Sequence, residues 1–131
     1  MSLVLVVDDH VDTALALVHV IRKLGPTAEC VYSGEAALAS VAAHRPDLII
    51  LDVCMPKMDG VETLTRLRAG EAGRDVPVAI YTALNDRATR DAVCRAGAVA
   101  VWEKSEFNLG EFADRLRAFV PIDWRPRRTD A

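Results

Sequence analysis

Apolar residues along this chain follow two alternating periods. The run Leu3 to Val7 is continuous, rich in valine and leucine, and too short for a helix, so it reads as a strand buried on both faces. Leu15, Val18, Ile21 and Leu24, with Ala14 and Leu17 beside them, then recur at helical spacing until Gly25-Pro26 stops the helix. Thr27 to Tyr32 is a second predicted strand, Gly34 to Ala43 an alanine-rich helix, and Asp47 to Leu51 a third strand. Asp59 is placed to cap a helix over about Val61 to Ala69, with Glu62 positioned to return the bond in a capping box. After a loop over 70–75, Val76 to Tyr81 is the fourth strand, with Pro77 tolerated near its start. Asn85 or Asp86 caps a helix that Gly97 ends, and Ala98 to Trp102 is the fifth strand. Asn108, followed by Glu111, opens a last helix through Phe112, Leu116 and Phe119 that Pro121 closes. Strict strand-helix alternation with short links implies an α/β fold, a parallel sheet with helices on both faces. Ligands of such a sheet belong at the carboxyl ends of the strands, near a switch in strand order.

Composition narrows the class. A chain of 131 residues fits one domain able to bury most of its apolar surface. Apolar residues make up 51% of it, yet no run approaches the roughly 20 residues of a membrane span, and no basic-apolar leader pattern is present. A cytoplasmic protein is expected. Cys30, Cys54 and Cys94 are odd in number, far apart and without C-x-x-C spacing, which argues for reduced thiols rather than a disulfide framework or zinc knuckle. A net charge of -3 provides no broad basic field, arguing against nucleic acid and for a protein partner or a cation.

The candidate chemistry lies at strand ends. Asp8 and Asp9 follow the first strand, Asp52 the third, Thr82 the fourth, and Lys104 comes shortly after the fifth. A buried strand has no need of a terminal charge, and three converging acids without a cation would repel one another. A hard divalent ion such as Mg²⁺ takes one or two protein carboxylates, which Asp9 and Asp52 can supply. With the Thr82 hydroxyl and the Lys104 ammonium, the set describes a phosphoryl-transfer site in which Asp52 is the candidate nucleophile. His10 is placed at the rim of this site, while His19 and His44 form no ligand set by spacing. Trp102 is read as core, Cys54 as a buried or half-buried thiol, and Met55-Pro56 and Asp59-Gly60 as turn and cap chemistry.

From Leu3 to Val120 the chain resembles the receiver domain of two-component response regulators. The resemblance rests on Val7-Asp8-Asp9, on Asp47 through Asp52 to Met55-Pro56-Lys57-Met58-Asp59-Gly60, on Thr82-Ala83, and on Gly97-Ala98 leading to Lys104, all in order. It implies a flavodoxin-like, doubly wound (βα)5 fold, a five-stranded parallel sheet of order 2-1-3-4-5. It also implies a signalling phosphoacceptor, not an enzyme in the ordinary sense, that takes a phosphoryl group from a sensor histidine kinase or phosphotransfer protein onto Asp52. Asp9, Asp52 and the Cys54 backbone carbonyl would bind Mg²⁺, with Asp8 acting mostly through water. The N-H groups of Cys54 and Ala83, the Thr82 hydroxyl and Lys104 would hold the phosphoryl oxygens. The output surface would be the fourth helix, fifth strand and fifth helix, which would meet a downstream effector or attached output domain and is where such domains pair as homodimers.

Two departures from the family pattern bear on signalling. Ser105 follows Lys104 where the family carries a proline with a cis bond, and a cis bond before a non-proline residue costs about 2.5–4 kcal/mol. The family's switch aromatic falls on Val101, while the large ring stands one place later at Trp102, on the opposite side of the strand. These motivate an alternative, a phosphorylation-independent interaction domain that keeps the acids. A hydrolase is disfavoured because Asp8-Asp9 lacks Asp-x-Asp spacing, and flavin binding because Asp8-Asp9-His10 would repel phosphate. Residues 1–120 are assigned to the receiver domain. Residues 121–131, with Pro121, Arg125, Pro126, Arg127 and Arg128, read as a tail or linker stump.

Overall fold

Strand and helix alternate as the hydrophobic pattern requires. A computed structural model describes residues 2–55, 57–83, 86–104 and 108–123. Among these, the order is β1 (Leu3–Val7), α1 (Val11–Lys23), β2 (Thr27–Val31), α2 (Gly34–Ala43), β3 (Leu48–Leu51), α3 (Gly60–Ala69), β4 (Val78–Thr82), α4 (Arg87–Ala96), β5 (Ala100–Glu103) and α5 (Leu109–Leu116). The strands form one parallel sheet of order β2-β1-β3-β4-β5, the flavodoxin-like arrangement expected.

Because successive strand residues face opposite sides, the sheet separates two cores. Val4, Val6, Leu48, Ile50, Ala79 and Trp102 pack with α1 and α5, through Val18, Ile21, Phe112 and Leu116. Leu5, Val7, Ile49, Leu51, Val78 and Ile80 pack with α2, α3 and α4, through Val41, Leu64, Leu67 and Val93. Trp102 stands edge-on to Phe112, with ring centroids 6.2 Å apart, while Val101 packs toward the opposite core. The two residues thus face opposite sides, and Trp102 is core.

Several boundaries differ from the expected ones for physical reasons. The fifth strand begins at Ala100, not Ala98, because Gly97 takes a left-handed conformation (φ 107°) and the Ala98 N-H turns back to Val93 O at 2.9 Å to close α4. β4 begins at Val78; Pro77 has no N-H to donate, but its carbonyl accepts from Ile49 N at 2.9 Å. β2 stops at Val31 and β3 starts at Leu48, leaving Tyr32 and Asp47 outside, while β4 and β5 each run one residue past prediction, to Thr82 and Glu103. Leu15 is 50% exposed, since the buried stripe of α1 runs through Ala14, Leu17, Val18 and Ile21. Asp59 caps α3 by accepting from Glu62 N at 2.8 Å, but Glu62 pairs with Arg66 at 3.1 Å instead of completing a capping box. Asp86 and Asn108 cap α4 and α5; Asn85 and Pro56 lie outside the described residues.

α4 is held differently from the other helices. Val93 is its one fully buried residue among those described. Its C-terminal end is fastened by Arg68, whose guanidinium donates to Gly97 O at 2.9 Å while also donating to Gly73 O at 2.8 Å and Val76 O at 2.6 Å.

α3 starts directly under the turn that follows β3. Gly60 N donates to Val53 O at 3.1 Å, and a Cβ on Gly60 would lie 2.5 Å from Val53 Cα and 2.7 Å from Asp52 O. Both obstacles are backbone, so Gly60→Ala should lower unfolding free energy in urea by about 1–3 kcal/mol. Gly70→Ala, whose Cβ would meet nothing closer than 3.7 Å, should stay within about 0.5 kcal/mol of the parent. Equal effects of the two substitutions would show that the close approach at Gly60 does not govern the turn.

Candidate functional site

Register between the central strands creates the site. Val7 pairs with Leu51 across β1 and β3, and Asp52 N donates to Val7 O at 3.0 Å, so the residues that follow, Asp8 and Asp52, emerge side by side. Asp8 is further fixed by its N-H bond to Val31 O at 3.2 Å. Both carboxylates are enclosed, at 3% and 4% exposure. Strand alternation carried one step past the ends gives Asp8, Asp52 and Lys104 the parity of Val6, Ile50 and Trp102, toward the α1/α5 side.

Lys104 joins them. Its Nζ donates to Asp52 Oδ2 at 2.9 Å and to Asp8 Oδ2 at 3.1 Å, and Cys54 N donates to the other Asp52 oxygen, Oδ1, at 3.1 Å. Burial, the largest single influence on Lys104, disfavours its charge. The bonds to Asp52 and Asp8 and the charges of both acids together outweigh it and hold the ammonium above its ordinary pKa of 10.5. A raised folded pKa means that the resulting stabilisation is complete below the ordinary value and is lost as pH climbs through the folded one. The ammonium is therefore present across the neutral range.

A third carboxyl group, that of Asp9, lies near this pair but makes no ion pair with Lys104. Asp9 Oδ1 is buried and accepts no hydrogen bond; His10 Nδ1 stands 3.4 Å away without suitable alignment. One ligand atom each from Asp8, His10 and Asp52 lie within 4.8 Å of one another. Two converging carboxylate oxygens and an imidazole nitrogen, with the orphaned Asp9 oxygen 3.4 Å from that nitrogen, fit a divalent cation that also keeps several waters.

The other predicted residues are distributed around this centre. Thr82 closes β4 with its side chain fully buried, and Ala83 follows it at the exposed mouth. Cys54, expected to be buried or half-buried, is exposed, because β3 has already ended at Leu51 and the chain is turning outward. Ser105 and its peptide bond to Lys104 lie outside the described residues. His44 lines a pocket with Thr27, Glu29 and Asp47 at the opposite ends of the strands, away from the acids. The sequence pattern placed His10 merely at the rim; its ring lies within 3.3 Å of Asp8 Oδ1. It missed Tyr81, over whose ring Lys104 Nζ sits at 5.6 Å from the centroid. Tyr81 also lines an apolar groove of about 220 Å³ with Leu17, Val20 and Phe112. The available signal was its place immediately before Thr82 at a strand end.

Comparison with known proteins agrees with this geometry. Residues 4–117 match the family model described as the response regulator receiver domain. Response regulator MprA of Mycobacterium ulcerans is 37% identical over 117 residues, 89% of this chain and 49% of the relative. Transcriptional regulatory protein PrrA of Mycobacterium tuberculosis is 38% identical over the same shares. The chain thus spans about half the length of these curated relatives. Among solved structures, chemotaxis protein CheY4 of Vibrio cholerae superposes with a TM-score of 0.84 at 28% identity, covering 92% of this chain and 99% of that one. The receiver domain of sensor histidine kinase PA1611 from Pseudomonas aeruginosa, solved with a magnesium ion coordinated in its active site cleft, gives 0.82 at 28% identity, covering 90% and 96%. No helix among the described residues is long and apolar enough to cross a membrane. With its fold, its acids at the ends of β1 and β3 and a family match over most of its length, the chain belongs to the response regulator receiver domain family, whose members are signalling proteins of two-component phosphorelays.

Proposed function

We propose that this chain is a Mg²⁺-dependent phosphoacceptor that takes a phosphoryl group from a histidine kinase phosphohistidine, or from a phosphotransfer protein, onto Asp52. The observation that carries the proposal is the Asp52 carboxylate itself: enclosed, with Oδ1 on the Cys54 N-H and Oδ2 on the Lys104 ammonium. In the transfer, an Asp52 oxygen forms a P–O bond as the P–N bond to the donor imidazole breaks, leaving an acyl phosphate and a neutral imidazole. Lys104, the Thr82 hydroxyl and the N-H groups of Cys54 and Ala83 hold the phosphoryl oxygens. Asp9, Asp52 and the Cys54 carbonyl would hold Mg²⁺, with Asp8 acting mostly through water; the ion supplies neutralisation of charge on the transferring group. The same chemistry allows acceptance from small acyl phosphates and slow self-hydrolysis.

In this reading residues 1–120 form the receiver domain and 121–131 a tail or linker, working in the cytoplasm. Phosphorylation draws Thr82 toward the phosphate and repacks the surface of α4, β5 and α5, which meets an effector, an output domain or a second copy. A second reading, a phosphorylation-independent interaction domain, is favoured by one feature: Trp102 packs with Phe112 and Phe119, and the residue of β5 that packs toward the α3/α4 core is Val101, which carries no ring. Chemical-shift mapping with Mg²⁺ and beryllofluoride separates the two. Changes reaching α4, β5 and α5 support a phosphorylation switch, whereas changes confined to the Asp52 pocket support the static surface.

Acetyl phosphate with Mg²⁺ should label the wild-type chain with an acid-labile phosphate, cleaved by base as well, visible as added mass. Asp52→Asn should abolish it, and retained labelling would reject Asp52 as acceptor. Lys104→Met should lower stability in chelator by about 2 kcal/mol, since it leaves Asp8 and Asp52 enclosed without their counter-ion. Added Mg²⁺ should then raise the melting temperature more in this variant than in the parent. Equal gains would show that ammonium and cation do not share these carboxylates.

A further inference from the structure

His10 has no role in folding that its position would ordinarily supply. It is the N-cap residue of α1, yet its side chain accepts no hydrogen bond from that helix. Its ring is 67% exposed, so core packing does not orient it either. What orients it is the acid cluster. Asp8 Oδ1 accepts from His10 N at 3.0 Å and lies 3.3 Å from His10 Nδ1, while Asp9 Oδ1, buried and without a hydrogen bond, lies 3.4 Å from the same nitrogen.

These separations suit neighbouring ligands of one ion. Around a cation with bonds of about 2.1 Å, adjacent octahedral ligands sit about 3 Å apart. A ring nitrogen of His10 and single oxygens of Asp8 and Asp52 already fall within 4.8 Å of one another. Resting on the proposed cation site, we infer that His10 is an additional ligand of that site and that it shifts the preference of the site from Mg²⁺ toward nitrogen-accepting first-row divalent ions. Carboxylates and water suit Mg²⁺, whereas an imidazole strengthens binding of Co²⁺, Ni²⁺ or Zn²⁺ and adds little for Mg²⁺. The chain would then respond to the kind of divalent ion available, not only to its presence.

Calorimetric titration of the full chain with Co²⁺ and with Mg²⁺, at constant pH, tests this in the wild type and in His10→Gln. The Co²⁺ affinity should fall at least tenfold in the variant, while the Mg²⁺ affinity stays within about twofold, on the scale of losing one imidazole donor. An unchanged Co²⁺ affinity, or equal weakening for both ions, would overturn the inference. A second readout needs no variant: the Co²⁺-loaded wild type should show hyperfine-shifted, carbon-bound imidazole proton resonances, and their absence would count against His10. A thiolate-to-cobalt absorption band would place the ion on a cysteine and would also overturn it. Mg²⁺ binding without any His10 effect removes this inference alone, whereas failure of both ions to bind the wild type removes the proposed cation requirement with it.

Discussion

The pairing of β1 with β3 is the constraint from which the site follows. A parallel ladder that sets Val7 opposite Leu51 makes the next two residues neighbours, and in this chain both are aspartates. Two carboxylates brought together at the edge of a dry interior are unfavourable unless a cation lies between them. Lys104, delivered from the end of the sheet's last strand, is that cation, bridging the two at 3.1 and 2.9 Å. Among the described residues Lys104 pairs with Asp8 and Asp52 but not with Asp9, which leaves the cluster acidic. A phosphate needs positive charge around it and a metal needs negative charge, and this arrangement offers one group for the former and three for the latter.

Most of the fold was legible because each level of the sequence pointed the same way. The runs Leu3–Val7 and Leu48–Leu51 are apolar on both faces, as the central strands of a doubly covered sheet must be. Asp59, Asp86 and Asn108 cap the helices they precede. Strand starts were less legible, for a definite reason. At Ala98 the side chain suits a strand, but the amide is committed to closing α4, and backbone hydrogen bonding is not written in side-chain pattern. Leu15 shows the opposite failure, an apolar residue near the helical stripe that the geometry of α1 turns to solvent.

At the site, Asp8, Asp52 and Lys104, which the sequence puts at or just beyond strand ends, are in direct contact. What could not be read was side-chain direction in the loops. Cys54 points outward and His10 points back toward the acids, and the chain path after the last strand residue decides both. Tyr81 escaped notice because tyrosine is ordinary in a strand; its importance comes from Lys104 lying across its ring, a contact between segments far apart in sequence. Comparison with relatives identifies the family.

The Arg68 clamp has a mechanical consequence. The Arg68 guanidinium ties Gly97, at the end of α4, to the carbonyls of Gly73 and Val76, while the helix itself buries little apolar surface along its length. Any displacement of α4 that carried Gly97 along would have to break the Gly97 bond to Arg68, so a guanidinium remote from the acids constrains this end of the helix.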